Sequence, residues 1–408
     1  MAGPLDGIRI VDMSSMLSGP WAADILGDQG ADVIKVEPPG RGDHVRSLPN
    51  RSGGMPSMFV NVNRSKRSVT IDLKSTEGVE LLLKLVETAD VVVQNFRPGV
   101  VDRLGVGYEA TRAVNPRIVY LSISGFGEHG PYADRRVYDP IVQALSGLTT
   151  VQAGSDTERP RLVRTILPDK LSAVTASQAV TAALLARERT GEGQHVRLSM
   201  LDTVVAFLWA SDMGAYTFMD QPVEPEKAAS FIDLIYETAD GYMTVATMSD
   251  AEWRSFCLAV DREDMITDPR FATPAARDLN VNERLAFIQE RLRTKTAAEW
   301  LQILPGYDVP CAPALRRVDL ISHPQVQASQ IIIETEHPVA GRLRQARTPA
   351  RFEGTVPSPP RGAPRTGQHN VEVLTEIGLS AADIAALAES GAIGSEHIAG
   401  EQDLATAV

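Results

Sequence analysis

A chain of 408 residues, 43% hydrophobic and 23% charged, is long enough for two or three domains of roughly 100–200 residues, and its make-up excludes collagen-like, coiled-coil and disordered classes. Lys and Arg number 40 against 52 Asp and Glu, a net charge of −12, which disfavours nucleic acid and anionic membrane surfaces as partners. The two cysteines, Cys257 and Cys311, sit in no CxxC or Cys/His pattern, so a disulfide framework is excluded and a reduced compartment is implied.

The opening stretch MAGPLDGIRIVDMSS has no charged segment followed by a secretory apolar core, and no apolar run reaches the roughly 18 residues a membrane helix needs, so the expectation is a cytoplasmic, unanchored protein. Short apolar runs then alternate with helical patterns. Ile8–Val11, Val33–Val36, Val91–Val93 and Ile118–Ile123 read as buried strands. A first helix starts near Gly19-Pro20 and ends by Gly30, and between Thr76 and Thr88 the residues Val79, Leu82, Leu83 and Val86 make one apolar stripe. Val69–Leu73 reads as a further strand. Repetition of this kind predicts parallel pairing with right-handed crossovers, hence a doubly wound, mostly parallel α/β layer.

A helix over Leu171 to Arg187 stops at Thr190-Gly191-Glu192-Gly193, His195–Leu198 reads as a strand, and Met200 to Phe218 as a buried helix. Asp220–Lys227, with Pro222 and Pro225 among its charges, reads as a linker. Beyond it a hairpin is expected (Ile232–Tyr236, Tyr242–Thr247, turning at Asp240-Gly241), and two helices carry capping boxes at Ser249/Glu252 and Thr296/Glu299. The expected organisation is a large α/β domain over 1–219, a linker over 220–225, a smaller α+β domain over 226–325, and a return segment over 326–408 that completes the large domain. That return includes the extended VPSPPRGAP stretch, Val356–Pro364, and helical patterns at Val371–Ile377 and Ala381–Glu389.

The chemistry-bearing motifs are sparse. No GxGxxG follows a strand and no GxxxxGK[ST] exists, which disfavours dinucleotide and ATP chemistry. The seven histidines show no metal-ligand spacing, so no metal and no tightly bound cofactor is expected. Arg64, Lys66 and Arg67, with Arg97 and Arg103 downstream, can hold a compact polyphosphate or belong to a solvated turn; spacing alone leaves both open. Asp169 follows Pro168 at the head of a helix pattern, where an Asp is a natural cap and can also act as a covalent nucleophile. The glycines of Gly125-Phe126-Gly127-Glu128-His129-Gly130-Pro131, ahead of Tyr138-Asp139-Pro140, suit either a tight turn or close approach to a ligand.

Taken together, Gly19-Pro20, Gly30-Ala31-Asp32-Val33-Ile34-Lys35-Val36-Glu37, Gly42-Asp43, Asn63-Arg64-Ser65-Lys66-Arg67-Ser68, Ala89-Asp90-Val91, Asn95-Phe96-Arg97-Pro98-Gly99, Asn115-Pro116-Arg117, Ser124-Gly125-Phe126-Gly127, Arg187-Glu188-Arg189-Thr190-Gly191, Val309-Pro310-Cys311-Ala312-Pro313 and Gly367-Gln368-His369 resemble the class III CoA-transferases across essentially the whole chain. That group includes formyl-CoA transferase, carnitine-type CoA-transferases and the related 2-methylacyl-CoA racemases. The resemblance implies an interlocked-ring homodimer, with acyl-CoA and a carboxylic acid as substrates. It implies that CoA lies near Arg64, Lys66, Arg67, Asn95, Phe96, Arg97 and Arg103, with its thiol end near Ser18 and Arg136, and that Leu17, Tyr138 and Asp139 line the active site. Asp169 matches the aspartate that carries a mixed anhydride and then an aspartyl-CoA thioester. Two alternatives stand beside transfer. One is proton exchange at the alpha carbon, as in the racemases, whose histidine position is held here by Tyr138. The other is a non-catalytic acyl-CoA binder. The sequence departs from formyl-CoA transferase at Leu17 and Pro38, which are apolar here, and it lacks a glycine run between Phe218 and Tyr242, so formate or oxalate chemistry is not implied. Pro38 also stands where the resembling transferase has an arginine that contacts CoA.

Overall fold

The structure, a computed structural model, describes residues 3–220 and 234–395. Two compact units form. The first takes the chain up to Ala153, Arg159–Met219 and Ile331 onward; the second takes Gly154–Glu158 and Asp220–Gln330. Most of the expected linker, 221–227, and the start of the expected hairpin, including Ile232, lie outside the described residues.

In the first unit β1 (Arg9–Asp12), β2 (Asp32–Glu37), β3 (Lys66–Thr70), β4 (Val91–Gln94), β5 (Val119–Ser124) and β6 (Gln194–Ser199) form one six-stranded sheet in the order β3-β2-β1-β4-β5-β6. Every pairing is parallel. Alternate side chains feed two cores, as the pleat requires. Ile10, Val33, Val91, Val93 and Leu121 pack under α1 (Ser18–Gly27) and the 24-residue α4 (Leu167–Thr190), while Val11, Ile34, Val92 and Tyr120 pack under α2 (Thr76–Val86) and the C-terminal helices. A third helix, α3 (Asp139–Leu145), lies between β5 and α4 in the chain.

The strand order reverses between β1 and β4. In open parallel sheets a crevice forms at such a switch, outside the carboxyl ends of the strands.

Three local expectations shift. Strand β3 begins at Lys66, not Val69, because its charges are buried in ion pairs rather than solvated. The buried face of α2 is Leu81, Leu82, Leu85 and Val86, so the expected stripe shares only Leu82 and Val86 with it. The helix expected over 200–218 breaks: α5 runs Met200–Trp209, a short turn follows at Gly214–Thr217, and Phe207 and Trp209 stand half exposed rather than buried.

The second unit holds an antiparallel sheet of β7 (Ile235–Glu237), β8 (Tyr242–Val245) and β9 (Cys311–Pro313), built on a core of Tyr236, Trp253, Phe256 and Trp300. Both expected capping boxes form, at Ser249/Glu252 and Thr296/Glu299. The chain then returns to the first unit through the hairpin Ile332–His337 and Gly341–Ala346, and through the helices Asn370–Glu376 and Ala381–Glu389.

Candidate active site

The crevice at the β1/β4 switch is built by two loops tied to one another. Asn95, just past β4, accepts a hydrogen bond from the Ser15 backbone N–H at 2.9 Å and donates to the Ser15 carbonyl at 2.7 Å. Beneath the Ser15 loop lies a fully buried charge cluster. Lys66 donates to Asp12 at 2.8 Å, to the Pro20 carbonyl at 2.7 Å and to Asn63 at 2.9 Å; Lys35 pairs with Asp43 at 2.8 Å and donates to the Ser14 carbonyl at 3.0 Å. Asp43 in turn accepts from the Met16 N–H at 3.2 Å, which holds Met16 in the left-handed region at φ 71°. Such a conformation costs a non-glycine residue energy and persists only where its surroundings enforce it. Gly19, next along, has no room for a Cβ against Ser14.

Two cavities open here. The larger, about 580 Å³, is walled by apolar residues such as Met13, Pro38, Ile71 and Leu104, with Arg41, His44 and Lys74 among its polar side chains. The smaller, about 170 Å³, contains Ser18, Asn95, Arg97, Gly125, Phe126, Arg135, Tyr138 and Asp169. Ser15 and Phe96 line both.

Asp169 is the third residue of α4, whose N-cap, Ile166, offers no side-chain cap, so the aspartate sits within the first helical turn rather than capping it. Its carboxylate shares the cavity with Ser18, the first residue of α1, whose hydroxyl and backbone N–H favour its charged form, while its own N–H donates to Asp139 Oδ2 at 3.3 Å. Two helix N-termini therefore converge on one side chain, an arrangement that favours negative charge. Burial nevertheless pushes the Asp169 carboxyl up to about 6, the neighbouring Asp139 charge adds to this, and the Ser18 donors only partly offset it. Asp139 is also raised, by burial, against the pull of the Gln143 amide at 2.6 Å. Neither aspartate forms an ion pair within hydrogen-bonding reach of the Arg97 or Arg135 side chains, although those arginines share the Asp169 cavity.

The expected site residues thus separate. Asp169, Ser18, Asn95, Phe96, Arg97 and Tyr138 meet at the smaller cavity, and buried Asp139 supports Asp169 from behind. Arg103 lines a neighbouring depression with Lys74, which also lines the larger cavity. Arg64, Lys66 and Arg67 do not belong with them. Arg64 is bound to Asp28, Lys66 to Asp12, and Arg67 to Asp32, Glu372 and Glu376, and none of the three lines either cavity. The reason is their place in and beside β3, where a cation must be paired to be buried. Leu17 is likewise buried at the cap of α1, and its neighbour Met16 faces the cavity instead. Arg136 is exposed and outside both cavities, and Arg135 takes the lining position.

Sequence reasoning missed Arg41 and Lys74, which follow β2 and β3; isolated cations past the carboxyl ends of parallel strands were the available signal. It also missed a relay behind Phe96. Gln94 accepts from the Phe96 N–H at 2.7 Å and donates to Ser122 at 2.8 Å, and Ser122 meets His195 Nε2 at 2.8 Å. Burial holds His195 neutral, down to about 4, so its ring carries one proton and the tautomer sets whether Nε2 donates to or accepts from Ser122.

Among the described residues no group of His, Cys, Asp and Glu could hold a metal ion, and no helix is long and apolar enough to cross a membrane. The sequence pattern of CoA-transferase family III matches residues 5–370. The chain is 31% identical to the human succinyl-CoA:glutarate CoA-transferase, over 92% of this chain and 86% of that one. It is 33% identical to the acetyl-CoA:oxalate CoA-transferase of Acetobacter aceti, over 92% and 96%. In three dimensions it is similar to the crystal structure of Rv3272 from M. tuberculosis, with a TM-score of 0.80 and 32% identity over 91% of this chain and 99% of the other. A CAIB/BAIF family protein from Brucella suis aligns with a TM-score of 0.79 at 30% identity, over 92% and 100%.

Proposed function

The chain belongs to CoA-transferase family III, and from that membership we propose that it moves CoA from an acyl-CoA thioester to a free carboxylic acid through a covalent cycle on Asp169. The observation that carries this reading is a carboxylate at the convergence of two helix N-termini, with no cation paired to it among the described residues, in a cavity that adjoins a larger one at Ser15 and Phe96.

In the cycle the Asp169 carboxylate attacks the donor thioester carbon and expels CoA thiolate, giving a mixed anhydride. The thiolate then attacks the aspartyl carbonyl and releases the donor acid, leaving an aspartyl-CoA thioester. An acceptor carboxylate attacks that thioester, and the thiolate returned by this step attacks the acceptor's acyl carbon, freeing Asp169. Thioester energy is conserved throughout, in keeping with the absence of a phosphate-cradling loop. Each step passes through an oxyanion, and the Ser18 N–H and hydroxyl are donors aimed at the site where it forms. An unpaired carboxylate is the better nucleophile, since a bound guanidinium would draw off its charge; at a pKa of about 6 it is still mostly ionised at neutral pH.

CoA fits the larger cavity, its adenine against the apolar walls and its phosphates toward Arg41, His44, Lys74 and Arg103, with the thiol passing Ser15 and Phe96. Racemisation needs a proton-exchanging pair, and no histidine lines the Asp169 cavity among the described residues. A homodimer is part of the proposal: Val174 and Leu185 of α4 and Phe207 and Trp209 of α5 are apolar side chains 49%, 55%, 49% and 49% exposed, which a second copy would cover. Light scattering of the purified protein checks the dimer.

The test of the cycle is intact-mass and peptide analysis after incubation with a panel of acyl-CoA thioesters. A CoA adduct on the peptide bearing Asp169, released by hydroxylamine and missing in Asp169→Ala, is expected. Turnover by Asp169→Ala would overturn the assignment.

A further inference from the structure

The cycle on Asp169 uses neither of the two arginines of its cavity, Arg97 and Arg135. We propose that Arg135 receives a second, distal carboxylate of the acid being activated, which makes the cavity a site for short α,ω-dicarboxylates; this rests on Asp169 being the residue that carries the transferred groups.

The turn before α3 is shaped to present this guanidinium. The Arg135 N–H donates to the Tyr132 carbonyl at 2.9 Å, and the guanidinium lies over the Tyr132 ring with Cζ 3.8 Å from its centroid. Tyr132 stands edge-on to Phe126, a wall of the cavity, at 5.4 Å. A guanidinium stacked on an aromatic face is held in orientation while its N–H fork stays available for a carboxylate. No carboxylate of the described residues pairs with Arg135, and no cation contributes to the environment of Asp169, so the nucleophile and the guanidinium serve different ends of the ligand. A cation on the reacting carboxylate would blunt it; a cation beyond it selects.

The remaining walls include the apolar side chains of Met16, Val137 and Met200, suited to a methylene spacer, and a volume of about 170 Å³ limits its length. Arg97 adjoins Phe96 at the passage to the larger cavity and is left to CoA. Donor and acceptor acids occupy this cavity in turn, so both carry the distal charge.

Isotope exchange tests this without knowledge of the natural pair. Glutaryl-CoA with labelled glutarate is compared with valeryl-CoA and labelled valerate, acids of equal chain length that differ in the distal charge. Exchange of glutarate is expected to exceed that of valerate in kcat/KM by about 10- to 100-fold, the span of one charged hydrogen-bonded contact. In Arg135→Gln the ratio should fall at least tenfold, through the KM for glutarate, and Arg135→Lys should recover part of it. Circular dichroism confirms that both variants fold. Equal exchange of the two acids, or a ratio unmoved by Arg135→Gln, would overturn the proposal while leaving the aspartyl cycle intact. No exchange with either acid, together with no adduct on Asp169, would remove the reading beneath it and the proposal with it.

Discussion

Two sets of buried carboxylates lie beside one crevice and are treated in opposite ways. For Asp12, Glu37 and Asp43 burial alone would raise each pKa, but Lys66 and Lys35 around Asp12, Arg46 on Glu37 and Lys35 on Asp43 outweigh it and hold all three below the usual range. Asp169 has no such cation among the described residues, and Asp139 feels only Lys170, which does not offset its burial, so both rise. The first set is paired to fix a strained loop; the second is left short of partners, which is what a carboxylate that must react requires. Asp24, buried beside Asp28 with Arg64 3.9 Å away, also rises, so a raised carboxyl marks a working charge only where it lines a cavity, as Asp169 does.

The largest expected effect is on the working side. Asp169→Ala should lower transfer by a factor on the order of 10⁴ or more, as loss of a covalent nucleophile does, with the melting temperature at least equal to that of the parent, measured by acid exchange and by thermal denaturation. On the scaffold side Lys66→Met should cost about 3–5 kcal/mol, because it strands Asp12 in the interior; a melting temperature within a degree of the parent would show that the pairing does not hold the loop.

A third effect tests where the phosphates are gripped. Arg41→Ala combined with Lys74→Ala should raise the KM for acyl-CoA by about tenfold, roughly one charged contact, and flatten its salt dependence. An unchanged KM would move CoA out of the larger cavity.

Smaller, but more specific, is the pH profile. Asp169 must be ionised to attack, so kcat/KM should fall as pH drops through about 6; Asp139→Asn removes the neighbouring charge and should move that acid limb down by roughly one unit. The linked stability has the opposite sign to that of a paired acid. With its folded pKa raised, Asp169 favours the folded state fully below its unfolded pKa, and this contribution is lost as pH rises through about 6. Asp169→Asn should therefore gain more in melting temperature over the parent at pH 8 than at pH 5.

Much of this molecule was legible before its structure. Apolar runs such as Val91–Val93 and Ile118–Ile123 read as buried strands and form them, β4 and β5, and Thr190-Gly191 stops its helix as expected, with Gly191 at φ 79°. Charge was harder to read. Arg64, Lys66 and Arg67 look like a phosphate grip, yet their carboxylate partners, Asp28, Asp12, Asp32, Glu372 and Glu376, come from distant parts of the chain, and only the fold brings them together. The same holds for Arg135 in place of Arg136, a choice made by one turn, and for Arg41 and Lys74, which meet because their strands are neighbours. Asp169 was singled out by its place in a resembling stretch and at a helix start; its raised pKa comes first from burial, which only the fold sets, and then from Asp139, thirty residues away.

The most direct test follows an oxygen atom. During turnover with an acceptor acid labelled with ¹⁸O in its carboxylate, in unlabelled water, each cycle should leave one ¹⁸O in the side chain of Asp169, read as a mass gain on the peptide that contains it. A peptide that stays unlabelled while labelled acid is converted to thioester would contradict the account.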